Sequence, residues 1–505
     1  MYSKVKSSTL MGLIGDLVEV ECDLSNGQTQ FNIVGLPDTA IRESKERVRT
    51  AIKNSNFKFP VKRITINLAP ANTKKEGTHT DLAIAVALLE ADGILQEGST
   101  QPYIFLGELS LDGKINGIDG ALPMILSMRD MGFKKFIVPY DNRLECAIVH
   151  NVDIFPVQTL SETVSFLNGD VKIPPHNMES FSGSHPEYDI DFSDIKSQDT
   201  LKRALEIAAA GNHNVLIIGP PGAGKTMAAK RLPTILPDLT VEESLDITKI
   251  YSVSGLTQNN GLVRTRPFRS PHHTSSNVSL VGGGRIPKPG EVSLAHNGVL
   301  FLDELPEFSR SALEVLRQPM EDGVVSISRI NAQITYPANF MLIASMNPCP
   351  CGYYGDPKHE CNCTPYAIER YLGKISNPLL DRIDIHVEVS AVEYSDLKSK
   401  ETAESSESIR KRVNAAREKQ IHRYKKYTFI TNSEIPSKYM AELIQLEPSS
   451  EQLLDQAFKK YRFSARGYNK ILKLSRTIAD LEGKDSIEDK HVLEALRYRS
   501  FDSKY

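Results

Sequence analysis

Directly after the apolar run 215–218 the chain reads Gly219, Pro220, Pro221, Gly222, Ala223, Gly224, Lys225 and Thr226. Residues of these types in this order can bind phosphate. Glycines let successive backbone N–H groups curl around phosphate oxygens, and a helix beginning at the lysine offers its positive end. Lys225 would then reach the β and γ phosphates while Thr226 holds Mg2+. A plain Gly/Pro turn is the alternative, but strand, loop and helix stand in the order that a nucleotide fold requires.

Four further stretches suit the same chemistry. Residues 299–308, Val-Leu-Phe-Leu-Asp-Glu-Leu-Pro-Glu-Phe, read as a buried strand ending in two acids. Asp303 is placed to hold Mg2+ through water and Glu304 to polarise an attacking water. A second apolar strand, 340–344, leads to Asn347, a candidate to position that water, with a turn-forming Asn-Pro as the alternative. In Pro-Leu-Leu-Asp-Arg-Ile-Asp, Arg382 is a candidate arginine finger. An ion pair within the chain to Asp381 or Asp384 is its rival. Arg466, in Phe-Ser-Ala-Arg-Gly-Tyr at the start of a helical stretch, is a candidate second sensor of the γ phosphate or a solvated surface arginine. ATP and Mg2+ are the expected cofactors.

A different chemistry is suggested by Cys349, Cys351, Cys361 and Cys363, two C-x-C pairs with His359 between them. Four thiolates at short spacing suit a tetrahedral structural Zn2+ that would staple the segment between Asn347 and Arg382. The pairs are tighter than the usual C-x2-C knuckle, so free cysteines are the alternative.

The elements that must position these residues divide the chain into units. Residues 1–168 read as a mixed α/β domain, with strands near 63–68 and 135–138 and a helix near 81–90. Pro, Ser, Gly and His crowd into 169–188, which reads as a linker. An α/β ATPase core is expected over 189–392 and a charged helical lid over 393–505, with amphipathic stretches at 409–424 and 468–481. A chain of 505 residues accommodates three such units. Sixty basic against 63 acidic residues leave a net charge of −3, which argues against a uniformly basic coat while allowing a local basic patch. Six cysteines are ordinary usage, and no run approaches the ~20 apolar residues of a membrane helix. Lys4 and Lys6 precede only a brief apolar patch broken by Asp16, unlike a secretory leader. A cytoplasmic protein without a membrane partner is expected.

Taken together, Phe-Asn-Ile-Val-Gly-Leu-Pro-Asp at 31–38, Arg-Ser-Pro-His-His-Thr at 269–274, residues 279–294, Asn-Pro-Cys-Pro-Cys-Gly at 347–352, residues 377–384 and 464–467 resemble the magnesium-chelatase-like AAA+ ATPases of the YifB/ComM group. The resemblance runs nearly end to end. It implies a hexameric ring with ATP sites between subunits and Arg382 acting on the neighbour, the placement of Arg466 staying open. It also implies two pore-facing segments. One is an insert at 280–293 carrying Arg285 and Lys288, and the other a hairpin at 324–336 carrying Arg329, so that basic tips would track a DNA backbone. Ordinary charged loops are the alternative. The first domain resembles the Lon-protease fold of the ribosomal S5 superfamily, but His79 falls where the catalytic serine would lie and Met124 where its lysine would. A degenerate, non-proteolytic domain is expected. Ten Lys or Arg against two Glu between 42 and 75, with Phe57 and Phe59 interleaved, make it a candidate DNA face.

The implied activity is a DNA motor acting on single-stranded or branched DNA, most specifically a helicase that promotes branch migration when incoming strands recombine. Its rivals are a metal-inserting or protein-remodelling ATPase and a nucleotide-switched DNA clamp.

Overall fold

The computed structural model describes residues 1–72, 74–176, 188–257, 261–284, 287–329, 332–391, 403–461 and 463–499. Its amino-terminal part is built on a seven-stranded mixed sheet. Strand order is Gln30–Val34, Arg63–Ala69, Ile14–Ser25, Tyr2–Met11, Tyr103–Phe105, Lys135–Pro139 and Asp153–Val157. Tyr2–Met11 pairs antiparallel with Ile14–Ser25, while the three strands beyond it run parallel. The helix Asp81–Ala91 is apolar all round and buried at every position but Glu90, as expected for a helix enclosed by its neighbours.

The second sheet has five strands, all parallel, in the order Phe268–Arg269, Val299–Leu302, Met341–Met346, Val215–Ile218 and Ile385–Glu388. Both faces are covered, which explains why these strands read as unbroken apolar runs. Val215, Ile217, Val299, Phe301, Met341 and Ile343 point into one core. Leu216, Ile218, Leu300, Leu302, Leu342 and Ala344 point into the other. In an open parallel sheet, ligands gather at the carboxyl ends of the strands where strand order reverses. The Val215–Ile218 strand, with sequence-distant strands on either side, is that place.

The first of those cores also takes in the carboxyl-terminal helices Ser406–Tyr424, Ala465–Leu481 and Asp489–Arg497. A buried polar network holds them together. Arg423 pairs with Asp480, and the Asn432 amide donates to Thr477 Oγ1 at 3.0 Å and to Asp480 Oδ2 at 2.9 Å. The helix Ala465–Leu481 is tied to the sheet as well. His213 Nε2 lies 2.8 Å from Thr477 Oγ1, and Lys470 Nζ lies 3.5 Å from Asp384 at the head of the last strand. Burial pushes the Asp384 carboxyl up, but Lys470 and His213 outweigh it and hold it well below the usual carboxylate range.

Val324–Arg329 and Ala332–Pro337 form an antiparallel hairpin, longer at its tip than the sequence pattern suggests because Arg329 still pairs with Ala332. It packs on the segment 280–289, where Gly282–Gly283 and Lys288–Pro289 make a short ladder and Tyr336 Oη donates to Pro287 O at 2.8 Å. The amino-terminal part touches the same region. A Cβ on Gly12 would sit 2.7 Å from Ile334 Cγ2, and Lys288 Nζ lies 3.2 Å from Asp119. Among the described residues no helix is long and apolar enough to cross a membrane.

Candidate functional site

The three strands that end at the reversal point carry Gly219, Asp303 and Asn347. Gly219 is required by close approach: a Cβ there would lie 2.6 Å from Val389 O. Gly222 and Gly224 hold φ of +79° and +81°, the left-handed region that glycine enters without strain. The helix Lys225–Arg231 follows, and the Lys225 amine is bound by Gly219 O at 2.6 Å, Pro220 O at 2.9 Å and Asn347 Oδ1 at 3.0 Å. Burial pushes the Lys225 amine below its ordinary value, against the pull of Asp303 and Glu304. A half-buried ammonium held by neutral oxygens is suited to an anionic ligand.

Thr226 Oγ1 donates to Asp303 Oδ2 at 2.7 Å, so the two residues expected to share Mg2+ are already adjacent. Asp303 Oδ1 accepts from Ser345 Oγ and, at 3.0 Å, from the Glu304 amide. Glu304 has φ +53° and an exposed carboxylate, with His273 Nδ1 3.7 Å away. That turn swings the second acid off the strand axis into solvent beside Asp303. An oxygen-rich pair of Thr and Asp fits Mg2+, and a Gly-lined loop with a buried lysine fits a triphosphate.

Arg382 lies apart from this cluster. It pairs with Glu321, not with Asp381 or Asp384 as the rival reading expected, and donates from a terminal nitrogen to Pro378 O at 2.6 Å. The reason is that Asp384 points inward to His213 and Lys470, leaving Glu321 as the outward acid. The Arg382 hydrogen bond holds the Glu321 carboxyl below its usual range, and Arg466 and Arg317 add to the effect. Arg466 is exposed in the first turn of Ala465–Leu481. The structure gathers Lys225, Thr226, Asp303, Glu304 and Asn347 in one cluster, and pairs Arg382 with Glu321 outside it.

Of the basic tips, Lys288 is engaged with Asp119, and Arg285 lies outside the described residues. Arg329 stands at the hairpin end by backbone register. In the segment 42–75, Arg47 binds the buried carboxylate of Asp81 at 2.8 Å. Phe57 and Phe59 pack partly against the core, with the Arg49 guanidinium 5.5 Å from the Phe59 ring centre. His79 is buried, which pushes its imidazole down to about 4, and Met124 is buried too. No motif marks Ser345 or Glu321, and His273 stands in the 269–274 motif without a role assigned to it. Ser345 is detectable only as a hydroxyl in an otherwise apolar buried strand.

A parallel sheet with this glycine loop, this Thr–Asp pair and this asparagine is the arrangement of a P-loop nucleotide-binding fold. Family models agree. "Magnesium chelatase, subunit ChlI" matches residues 191–397, "Subunit ChlI of Mg-chelatase" matches 20–142, and "Magnesium chelatase, subunit ChlI C-terminal" matches 403–499. The Competence protein ComM of Haemophilus influenzae is 42% identical over 98% of this chain and 97% of its own. The protein YifB of Escherichia coli is 41% identical over 99% of this chain and 97% of its own. The magnesium-chelatase 67 kDa subunit of Chlorobaculum parvum is 29% identical over 32% of this chain and 23% of its own. The chain belongs to the magnesium-chelatase-like AAA+ family that includes ComM and YifB.

Proposed function

We propose that the protein hydrolyses ATP and uses the energy to move along DNA as a ring of its own copies. The observation that carries the first half is the cluster of Lys225, Thr226, Asp303 and Asn347 at the reversal point of the sheet. In this reading the loop amides, Lys225 and Thr226 bind the Mg2+–triphosphate, and Asp303 fixes the Thr226 hydroxyl. Glu304 then accepts the proton of the attacking water that Asn347 orients. Developing charge on the γ phosphate needs a cation that the cluster does not supply beyond Lys225. Arg382, paired with Glu321, and Arg466 serve that need on the next subunit's nucleotide. Glu321 holds Arg382 in place until phosphate competes for it.

In the same reading the segment 280–289 and the hairpin 324–337 line the ring's opening, with Lys288, Arg285 and Arg329 facing the phosphate backbone. The amino-terminal part is a Lon-like domain without peptidase chemistry, since neither His79 nor Met124 can replace the Ser and Lys of the dyad. Similarity to a competence protein over nearly the whole chain favours work on incoming or recombining DNA, most specifically branch migration. It weighs against metal insertion, because ComM matches 98% of this chain whereas the magnesium-chelatase 67 kDa subunit of Chlorobaculum parvum matches 32%. The test is strand displacement from a forked substrate with ATP and Mg2+. Displacement that disappears with a non-hydrolysable analogue supports a motor. Binding of DNA with nucleotide but no displacement would make the protein a clamp.

A further inference from the structure

The loop between Asn347 and the helix Pro365–Leu372 brings four sulphurs together. Cys349 Sγ lies 3.3 Å from Cys351 Sγ and 3.7 Å from Cys361 Sγ, and the last two lie 3.5 Å apart. With Cys363 all four fall within 4.8 Å of one another. None is in a disulfide. A tetrahedral Zn2+ with Zn–S bonds of about 2.3 Å sets its ligands about 3.8 Å apart, so this spread is that of a ligand cage. His359, the other metal-ligating type in the loop, turns to Asp356 at 3.6 Å and stacks on the Tyr353 ring at 4.8 Å. The sulphurs alone make the donor set.

The cage also touches the nucleotide site. Gly352, one residue after Cys351, has φ +89°, and a Cβ there would lie 2.6 Å from Pro221 Cδ in the glycine loop. Asn347 stands two residues before Cys349, and its side-chain oxygen accepts from Lys225 Nζ at 3.0 Å.

We propose that Cys349, Cys351, Cys361 and Cys363 bind one Zn2+, and that this site is a strut that sets Pro221 and Asn347 for nucleotide binding. The thiols release their protons as the metal enters. The second half of the proposal rests on the nucleotide reading given above; the first half does not.

The experiment is elemental analysis of the full chain purified without chelator, together with binding of a fluorescent ATP analogue. The proposal expects about one zinc per chain, and in Co2+-loaded protein the visible absorption of a tetrahedral thiolate site. The double substitution Cys351→Ser, Cys361→Ser should lose the metal. Gly352→Ala should keep it while weakening analogue binding about tenfold, because the new methyl displaces Pro221. Zinc well below one equivalent after incubation with ZnSO4, or iron in its place, overturns the site. Wild-type affinity in a zinc-loaded Gly352→Ala protein overturns the strut. Zinc-loaded wild type that binds no analogue instead overturns the nucleotide reading and leaves the metal site standing.

Discussion

Lys225 Nζ and Asn347 Oδ1 meet at 3.0 Å, joining the start of one helix to the end of a neighbouring strand. The contact places the group that would bind phosphate and the group that would orient water within one hydrogen bond. Asn347 follows a strand buried throughout, and Lys225 opens a helix anchored by the buried Ala228 and Ala229, so both are positioned by regular elements.

Removal of the lysine therefore separates binding from chemistry. Lys225→Ala is expected to abolish nucleotide binding, measured by fluorescence of an ATP analogue. Glu304→Gln should retain binding and lower phosphate release about 100-fold or more, because only the water-activating carboxylate is lost.

Arg382 offers a sharper test, because its chemistry is assigned to the next subunit. Arg382→Ala and Glu304→Gln should each be inactive alone. Mixed, they should regain a substantial fraction of ATPase activity, since a Glu304→Gln subunit still presents Arg382 to an intact site. Absence of any recovery in rings shown to contain both variants would place Arg382 in its own subunit's site.

The Asp384–Lys470 contact at 3.5 Å anchors the helix that carries Arg466. Lys470→Met removes the lysine in contact with the buried Asp384 carboxylate and leaves His213 and Lys473 to oppose its charge, and should cost about 3 kcal/mol of stability, read from denaturant unfolding. Asp384 is depressed in the folded state. Its contribution is therefore present above the unfolded carboxylate value near 4 and lost as pH falls further.

Acid should act earlier through histidine. Burial pushes His79 down to about 4, so the unfolded chain binds more protons than the folded one between roughly pH 6.5 and 4. Stability should fall across that window and level off below it. His79→Leu should flatten the loss, measured as the midpoint of urea unfolding at pH 7 and pH 5.

On the DNA side, Lys288 is paired with Asp119 in a half-exposed contact at 3.2 Å, which a phosphate can displace at little cost. Lys288→Ala should weaken DNA binding and reduce the slope of log Kd against log salt by about one per chain bound to phosphate. An unchanged slope would remove the segment 280–289 from the DNA path.

What was legible in the sequence follows from how local each signal is. The glycine loop, the acids after the buried strand and Asn347 are contiguous motifs whose neighbours announce the strand and the turn. Glu321 and Ser345 were not legible, because their roles depend on where distant strands place them. Asp381 and Asp384 stood as the rival partners of Arg382 by proximity along the chain, whereas the structure turns Asp384 inward to Lys470. In the basic run between 42 and 75, Arg47 serves the buried Asp81 and the two phenylalanines lean on the core, partners that the sequence does not reveal.

The most direct test of the central claim is the rate of ATP hydrolysis by the purified protein, with and without single-stranded and branched DNA, at low and high salt. The account predicts hydrolysis that needs Mg2+ and Lys225, strong stimulation by DNA, and loss of that stimulation as salt rises. A basal rate that no DNA alters at either salt concentration would contradict it.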